Sequence, residues 1–150
     1  MQLSMTRAER EAFLADVHIG VLSVARADRA PLTVPIWYHY EPGGDICIAT
    51  GAQSQKLGFI RSAGRISLCV QTETPPYKYV TVEGAVTIEP INGDAFVRKV
   101  AHRYLGEQMG DYYVQLTASE REKTGEVLVR VTPERWLSVD YTKMNTDVAG

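Results

Sequence analysis

A polar segment that ends in a lysine follows the third apolar run of the sequence. It spans Thr50 to Lys56 (TGAQSQK) and precedes a short helical pattern. The first turn of a helix presents free backbone N–H groups and a positive dipole end, so Lys56 is unfavourable there unless an anion lies close. Thr50, Gln53 and Ser54 add hydrogen-bond donors. The spacing predicts a phosphate site, and the alternative is a plain loop with Ser54 as helix cap and Lys56 in solvent.

The second apolar run, Leu32 to Tyr40 (LTVPIWYHY), places aromatic rings beside a proline. Pro35 cannot donate to a strand ladder, which predicts an edge or a bulge at that point. Trp37 and Tyr38 are flat surfaces that could border a planar heterocycle, although aromatic residues more often belong to a core or an interface. A second cluster, Pro75 to Tyr79 (PPYKY), is compatible with a pocket rim or a solvated turn.

The sequence contains no convincing acid–base or nucleophilic machinery. It has no serine nucleophile elbow, and its histidines and cysteines do not have zinc spacing. If the protein is an enzyme, a cofactor is therefore expected to carry the chemistry. The two cysteines lie in strand-like runs, which predicts buried free thiols in a reducing cytoplasm. The histidines are His18, His39 and His102, and the cysteines are Cys47 and Cys69.

Composition predicts one globular domain. The chain has 150 residues, of which 45% are hydrophobic and 23% charged, and its net charge is −2. These values argue against a disordered chain, and a slightly acidic chain is not suited to coat nucleic acid. No apolar run could span a bilayer, and residues 1–10 do not resemble a signal peptide. We expect a cytoplasmic domain over residues 1–143, with a flexible tail over residues 144–150.

Hydrophobic periodicity predicts seven strands and three or four helices. Most strands are joined by short turns and helices interrupt them at only two places, which indicates a mostly antiparallel, β-rich α+β fold. A small closed barrel with helices over its ends would remove exposed edges. The strands are expected at His18–Arg26, Leu32–Tyr40, Ile46–Thr50, Arg65–Gln71, Tyr77–Glu89, Glu126–Val131 and Arg135–Tyr141. Helices are expected at Arg7–Ala15 (after a capping box from Thr6 to Glu9), from about Ser54, from Asp94 to Leu105 with a stop at Gly106, and in pieces over Met109–Lys123.

Three stretches of the chain together resemble a known superfamily. They are FLADVHIGVLSVARADRAPLTVPIWYHY, DICIATGAQSQKLGFIRSAGRISLCVQ and YKYVTVEGAVTI. The set resembles the pyridoxamine 5′-phosphate oxidase-like superfamily, and more closely its flavin/deazaflavin oxidoreductase branch, over Thr6 to Tyr141. The resemblance implies a split β-barrel (FMN-binding split barrel-like) with flanking helices. It also implies a homodimer with cofactor sites at the subunit interface.

The resemblance assigns the cofactor to specific residues. For the phosphate it implies Thr50, Gly51, Ser54, Gln55 and Lys56, which coincide with the anion site expected from helix physics. For the flavin or deazaflavin ring it implies Thr33, Val34, Pro35, Ile36 and Trp37. The opposite subunit would complete the pocket, with Tyr77, Tyr79 and Trp136 as candidates.

One departure from the superfamily bears on the cofactor. Pyridoxamine phosphate oxidases carry an Arg-x-(Val/Leu)-Leu-Lys run on strand two, whereas Thr33 to Trp37 contains no basic residue. The resemblance therefore implies coenzyme F420 as the cofactor in preference to FMN. Lys56, Arg61 and Lys78 would lie along the negatively charged tail of F420. The expected function is an F420-dependent reductase that passes hydride to an electron-poor small molecule. The alternatives are an FMN-binding oxidoreductase of the same fold and a non-catalytic flavin or heme carrier, in which a histidine would ligate heme.

Overall fold

The computed structural model describes residues 2–147, and within them the chain forms a seven-stranded antiparallel sheet flanked by three α-helices. The β-rich α+β class predicted from the sequence is confirmed. The strands are β1 Gly20–Arg26, β2 Arg29–Ile36, β3 Ile46–Gly51, β4 Arg65–Gln71, β5 Lys78–Pro90, β6 Glu126–Val131 and β7 Arg135–Asp140. The helices are α1 Arg7–Ala15, α2 Gln55–Ala63 and α3 Ala95–Thr124, and a 3₁₀ helix follows at Tyr141–Asp147.

The sheet is not closed, which corrects the expectation of a closed barrel. Its order is β2-β1-β4-β5-β6-β3, with β7 paired to β5, so β2 and β3 lie at the two ends. A single bridge, between His39 and Cys47, connects the segment after β2 to β3. The strand expected to reach Tyr40 ends at Ile36 because the next backbone groups bond elsewhere: the Tyr38 amide donates to the Tyr104 hydroxyl of α3 at 3.1 Å.

The main core lies between the inner face of the sheet and the helices α1 and α2. The capping box at the start of α1 is confirmed, since the Thr6 side chain accepts from the Glu9 amide and Glu9 accepts from the Thr6 amide. Tyr38 is fully buried, and its hydroxyl donates to the Leu14 carbonyl at 2.6 Å. This bond ties the end of α1 to the segment after β2.

The long strand β5 serves both halves of the sheet. Its first half pairs with β7 and its second half with β6, while β4 runs along its other side. The turn between β6 and β7 crosses it at Gly84, where an added Cβ would lie 1.8 Å from the Thr132 carbonyl oxygen. Only glycine fits at this close backbone approach.

Helix α3 is a bent pair of helical segments with a small core of its own. Gly106 interrupts the helix with φ 82° and ψ 175°, a backbone conformation that glycine adopts without strain. The helix stop predicted at Gly106 is therefore confirmed, although a second helical segment follows it. The two segments pack closely, because an added Cβ on Gly110 would lie 2.5 Å from the His102 ring. Val97, Ala101 and Val114 are buried between them.

The end of the chain is only partly described. The 3₁₀ helix Tyr141–Asp147 extends into the tail expected over residues 144–150, and residues 148–150 lie outside the described part. None of the helices in residues 2–147 combines the length and the apolar character needed to cross a membrane.

Candidate functional site

A cavity of about 230 Å³ lies at the open seam of the sheet, where α3 covers the gap between β2 and β3. The end of β2 and the first turn of α2 both line this cavity, so residues from both predicted parts of the cofactor site meet here. The cavity is lined by Pro35, Ile36, Trp37, Ala49, Lys56, Val97, Val100, Tyr113 and Glu126.

The loop before α2 is held in a fixed shape by short-range bonds. The Ser54 side chain caps α2 by accepting from the Leu57 amide, and its hydroxyl lies 3.3 Å from that of the buried Thr50. The Ser54 amide donates to the Gly51 carbonyl at 3.1 Å. The first two amides of α2, on Gln55 and Lys56, have no acceptor within the helix and are available to an anion.

Within this loop the side chains have different positions. Lys56 is half-buried and lines the cavity, whereas Gln53 and Gln55 are exposed. Ser54 therefore serves as the helix cap of the plain-loop alternative, but Lys56 is not simply in solvent. A cation at the first turn, aimed into a cavity, fits the negative group that the sequence predicts.

The wall expected to hold a ring is only partly formed by the predicted residues. Pro35, Ile36 and Trp37 line the cavity, but Thr33 is exposed and Val34 packs against the main core. Strand alternation does not separate these residues, because Thr33 shares a face with Pro35 and Val34 shares one with Ile36. Of this segment, only the last residues of β2 and Trp37, which follows them, line the cavity.

Trp37 connects this wall to α3. Its ring stacks on Tyr104 at 5.0 Å between centroids with 7° between the planes, and lies 5.2 Å from Tyr113. The aromatic surface predicted on this strand therefore exists, and part of it packs inside the protein. With Tyr113 and the two valines of α3, it adds an apolar, aromatic surface to the cavity that Lys56 also lines.

Glu126, at the start of β6, was not singled out in the sequence. It lines the cavity because it pairs in register with Gly51, at the base of the predicted phosphate loop. Burial raises the pKa of its carboxyl group, while Arg121, whose Nε lies 3.6 Å away, opposes the shift. Arg121 also pairs with Asp94 at 3.0 Å. No sequence motif marks this position, since only strand pairing brings it beside the loop.

The residues predicted to complete the pocket from the opposite subunit lie away from this cavity. Tyr77, Lys78 and Tyr79 line a separate hollow of about 460 Å³ with Tyr141. Trp136 packs between Arg10 and Tyr40 near α1. The cavity of one chain does not include them, so their contribution from a second copy stays a prediction.

The histidines do not line the cavity. His18 lies 3.0 Å from the Phe13 carbonyl, His102 lies 2.7 Å from Asp111, and His39 lies 3.7 Å from Glu41. Burial lowers the pKa of both His18 and His39. Across residues 2–147 there is no group of three or more histidine, cysteine, aspartate or glutamate side chains that could hold a metal ion.

Comparison with solved structures identifies the fold. The conserved hypothetical protein Rv2991 from Mycobacterium tuberculosis is 24% identical with a TM-score of 0.73, and the match covers 95% of this chain and 89% of that one. A protein described as an F420 reductase is 20% identical with a TM-score of 0.59, over 85% and 94% of the chains. An FAD-binding protein from Mesorhizobium loti is 18% identical with a TM-score of 0.61, over 90% and 94%. At these identities the similarity establishes the fold alone.

Comparison of sequences identifies the family. No curated protein matches the chain at a significant level. The family model described as pyridoxamine 5′-phosphate oxidase matches residues 6–140, which include every strand of the sheet and every residue that lines the cavity. The chain therefore belongs to the pyridoxamine 5′-phosphate oxidase family and has its split-barrel fold.

Proposed function

We propose that the protein is an F420-dependent oxidoreductase that transfers hydride from a reduced deazaflavin to an electron-poor small molecule. The observation that carries the proposal is the shared cavity, in which Lys56 at the start of α2 faces the same space as Pro35 and Trp37 at the end of β2. A cation beside free helix amides suits a phosphate, and a flat apolar wall suits a heterocyclic ring. The F420 reductase among the structural neighbours supports this choice.

The residues of this chain would bind and orient the cofactor. Lys56 and the first amides of α2 would hold the phosphate, and Trp37 would border the ring. Bound F420 would supply the hydride, and the proton that completes the reduction would come from an ordered water or a nearby hydroxyl group. Val97 and Val100 of α3 would give the ring apolar contacts. The lack of a basic residue between Thr33 and Trp37 favours F420 over FMN, whose phosphate the related oxidases grip from that strand.

A second copy of the chain would complete the pocket. The cavity volume of about 230 Å³ falls below the roughly 300–1,000 Å³ usual for small-molecule sites. An outward-facing row runs across the sheet from Pro35, since Pro35 pairs with Val21, Val21 with Cys69, Cys69 with Thr81 and Thr81 with Leu137. Val21 and Leu137 are exposed apolar side chains of this row.

This row makes the outer face of the sheet the natural place for a dimer contact. Tyr79 lies two residues before Thr81 and so points to the same face. A copy packed on this face would cover the exposed apolar side chains and bring its tyrosines towards Pro35. The free thiols of Cys47 and Cys69 are compatible with a reducing compartment such as the cytoplasm.

The test is a titration of the purified protein with F420 and, separately, with FMN, followed by the quenching of cofactor fluorescence. We expect saturable F420 binding that is at least tenfold tighter than FMN binding, which is a difference of about 1.4 kcal/mol. Tighter FMN binding would move the protein to the FMN-binding class. Failure to bind either cofactor would contradict the proposal. A Soret band in the purified protein would indicate the heme carrier, although none of the three histidines lines the cavity.

A further inference from the structure

A second, open hollow lies between α1, the turn after Tyr40 and the start of β7. Its volume is about 330 Å³, and it shares no lining residue with the cofactor cavity. We call it the α1–β7 hollow. The residues that matter in its wall are Arg7, Arg10, Glu11, Tyr40, Asp45, Glu134 and Trp136.

Arg10 is a half-buried cation without a partner anion. Its guanidinium lies 4.7 Å from the centre of the Trp136 ring, and its Nε is buried with no hydrogen-bond acceptor. In residues 2–147, every other arginine that is at least partly buried either donates a hydrogen bond or pairs with a carboxylate. Arg26 is the direct comparison: it lies 5.5 Å over Phe59, but its Nε donates to the Ala30 carbonyl at 2.9 Å.

The carboxylates in the wall of the hollow do not neutralise Arg10. Glu11 pairs with Arg7 at 3.2 Å, and Glu134 pairs with Arg65. Asp45 lies 3.9 Å from Arg130, which it shares with Glu89. Each of these acids thus has another arginine within ion-pair distance, and none lies within that distance of Arg10. The buried Nε–H of Arg10 has lost water without gaining an acceptor, which is costly, and an oxyanion would supply that acceptor.

Tyr40 offers a second donor to the same space. Its hydroxyl oxygen accepts from the Gly43 amide at 3.3 Å, so the hydroxyl proton is free to be donated. Tyr40 also packs edge-on to Trp136, with ring centroids 6.3 Å apart. A guanidinium and a hydroxyl held beside one aromatic ring form a typical set for recognising a carboxylate.

From this arrangement we infer that the α1–β7 hollow binds a small molecule through its carboxylate, which Arg10 and the Tyr40 hydroxyl hold. The volume of about 330 Å³ is within the range of roughly 300–1,000 Å³ that holds small organic ligands. The apolar remainder of such a ligand would lie against Trp136 and Pro133, which also lines the hollow. The inference does not depend on which cofactor the other cavity takes.

The test is an NMR titration of the whole protein with sodium benzoate, with benzamide as the neutral analogue and sodium chloride at matched ionic strength. The chain has two tryptophans, so the two indole N–H signals report on the two cavities separately. We expect benzoate to shift the Trp136 indole and the Arg10 Nε–H signals saturably. Benzamide and chloride should leave both unchanged, and the Trp37 signal shows whether benzoate also enters the cofactor cavity.

Variants then test the role of Arg10. R10M keeps the apolar stem over Trp136 and removes the donors, and it should weaken benzoate binding by roughly tenfold or more. R26M is the matched control and should bind like the native protein. The inference is overturned by equal responses to benzoate and benzamide, by unchanged affinity in R10M, or by no saturation up to about 10 mM benzoate. The titration of the native protein with benzoate and benzamide can by itself contradict the inference. The test therefore remains valid even if a variant does not fold.

Discussion

Lys56 is the residue that unites the two halves of the proposed cofactor site. It stands at the first turn of α2, where the helix dipole disfavours a cation, and it faces the cavity together with Trp37. An anionic ligand at this point would offset the unfavourable interaction of Lys56 with the helix dipole. The nearby carboxyl of Glu126 is held by Arg121, which leaves Lys56 as the cation on this wall of the cavity.

Replacing Lys56 by alanine should therefore weaken F420 binding without unfolding the protein. The loss of one charge-assisted contact to phosphate predicts a dissociation constant roughly 10- to 100-fold higher. The matched control is Lys123→Ala, an exposed lysine in the last turn of α3 that does not line the cavity, and it should change the affinity little. Fluorescence titration measures both. An unchanged affinity for K56A would show that the phosphate lies elsewhere.

Pro35 tests the position of the ring. It is exposed on the edge strand β2 and lines the cavity, so a glutamate there should place a charge where an apolar ring is expected. We expect P35E to abolish measurable F420 binding and to change the free energy of unfolding by less than about 0.5 kcal/mol. P31E is the control, because Pro31 is exposed on the same strand outside the cavity. Normal binding by P35E would place the ring elsewhere.

At the scale of the elements, α3 turns an open seam into a cavity. The break at Gly106 lets its two segments lie against each other, and Trp37 packs onto the pair through Tyr104 and Tyr113. The first segment supplies Val97 and Val100 to the cavity and the second supplies Tyr113. The shape of the cavity therefore depends on the angle at Gly106.

Gly106→Ala should cost stability because an alanine is strained at φ 82° and ψ 175°. The expected loss is about 1–3 kcal/mol in the free energy of unfolding, measured in urea. Gly58→Ala in α2 provides the contrast, since that glycine is exposed and its added Cβ would meet nothing within 4 Å. G58A should gain about 0.5–1 kcal/mol. Equal effects of the two substitutions would mean that the break in α3 is not set by Gly106.

The elements were largely predictable from the sequence, and the walls of the site were not. Periodicity and capping placed α1, β4 and β6 at their observed bounds, because these signals are local. The early end of β2 could not be read from local signals, since it follows from a bond between the Tyr38 amide and Tyr104, 66 residues away. Glu126 enters the cavity for the same kind of reason, through its pairing with Gly51 in another strand.

On the scale of the whole molecule, one chain carries the two candidate halves of a cofactor pocket in different places. Pro35 and Trp37 line the cavity at the seam, while Tyr77 and Tyr79 line a separate hollow at the start of β5. The row of paired residues from Pro35 to Leu137 connects these regions along the outer face of the sheet. A two-fold arrangement on that face would join the first half of one copy to the second half of the other.

This arrangement predicts that two defective chains can restore each other. P35E damages the β2 wall, and a Y77A/Y79A double variant damages the opposite wall, so each should bind F420 poorly by itself. In a mixed dimer, one pocket would carry both defects and the other none, so F420 binding should recover in up to half of the sites of the hybrid. Differently tagged chains, co-expressed and purified through both tags, isolate that hybrid for fluorescence titration.

The outcome depends on which chain supplies each wall, because a pocket built within one chain would leave every site of the hybrid with one defect. A hybrid that binds no better than its parents would therefore contradict the shared pocket. If the Y77A/Y79A protein binds F420 normally on its own, the two tyrosines are not part of the site. Sedimentation of the native chain checks the premise, since a monomer at micromolar concentration would rule out a pocket between two copies.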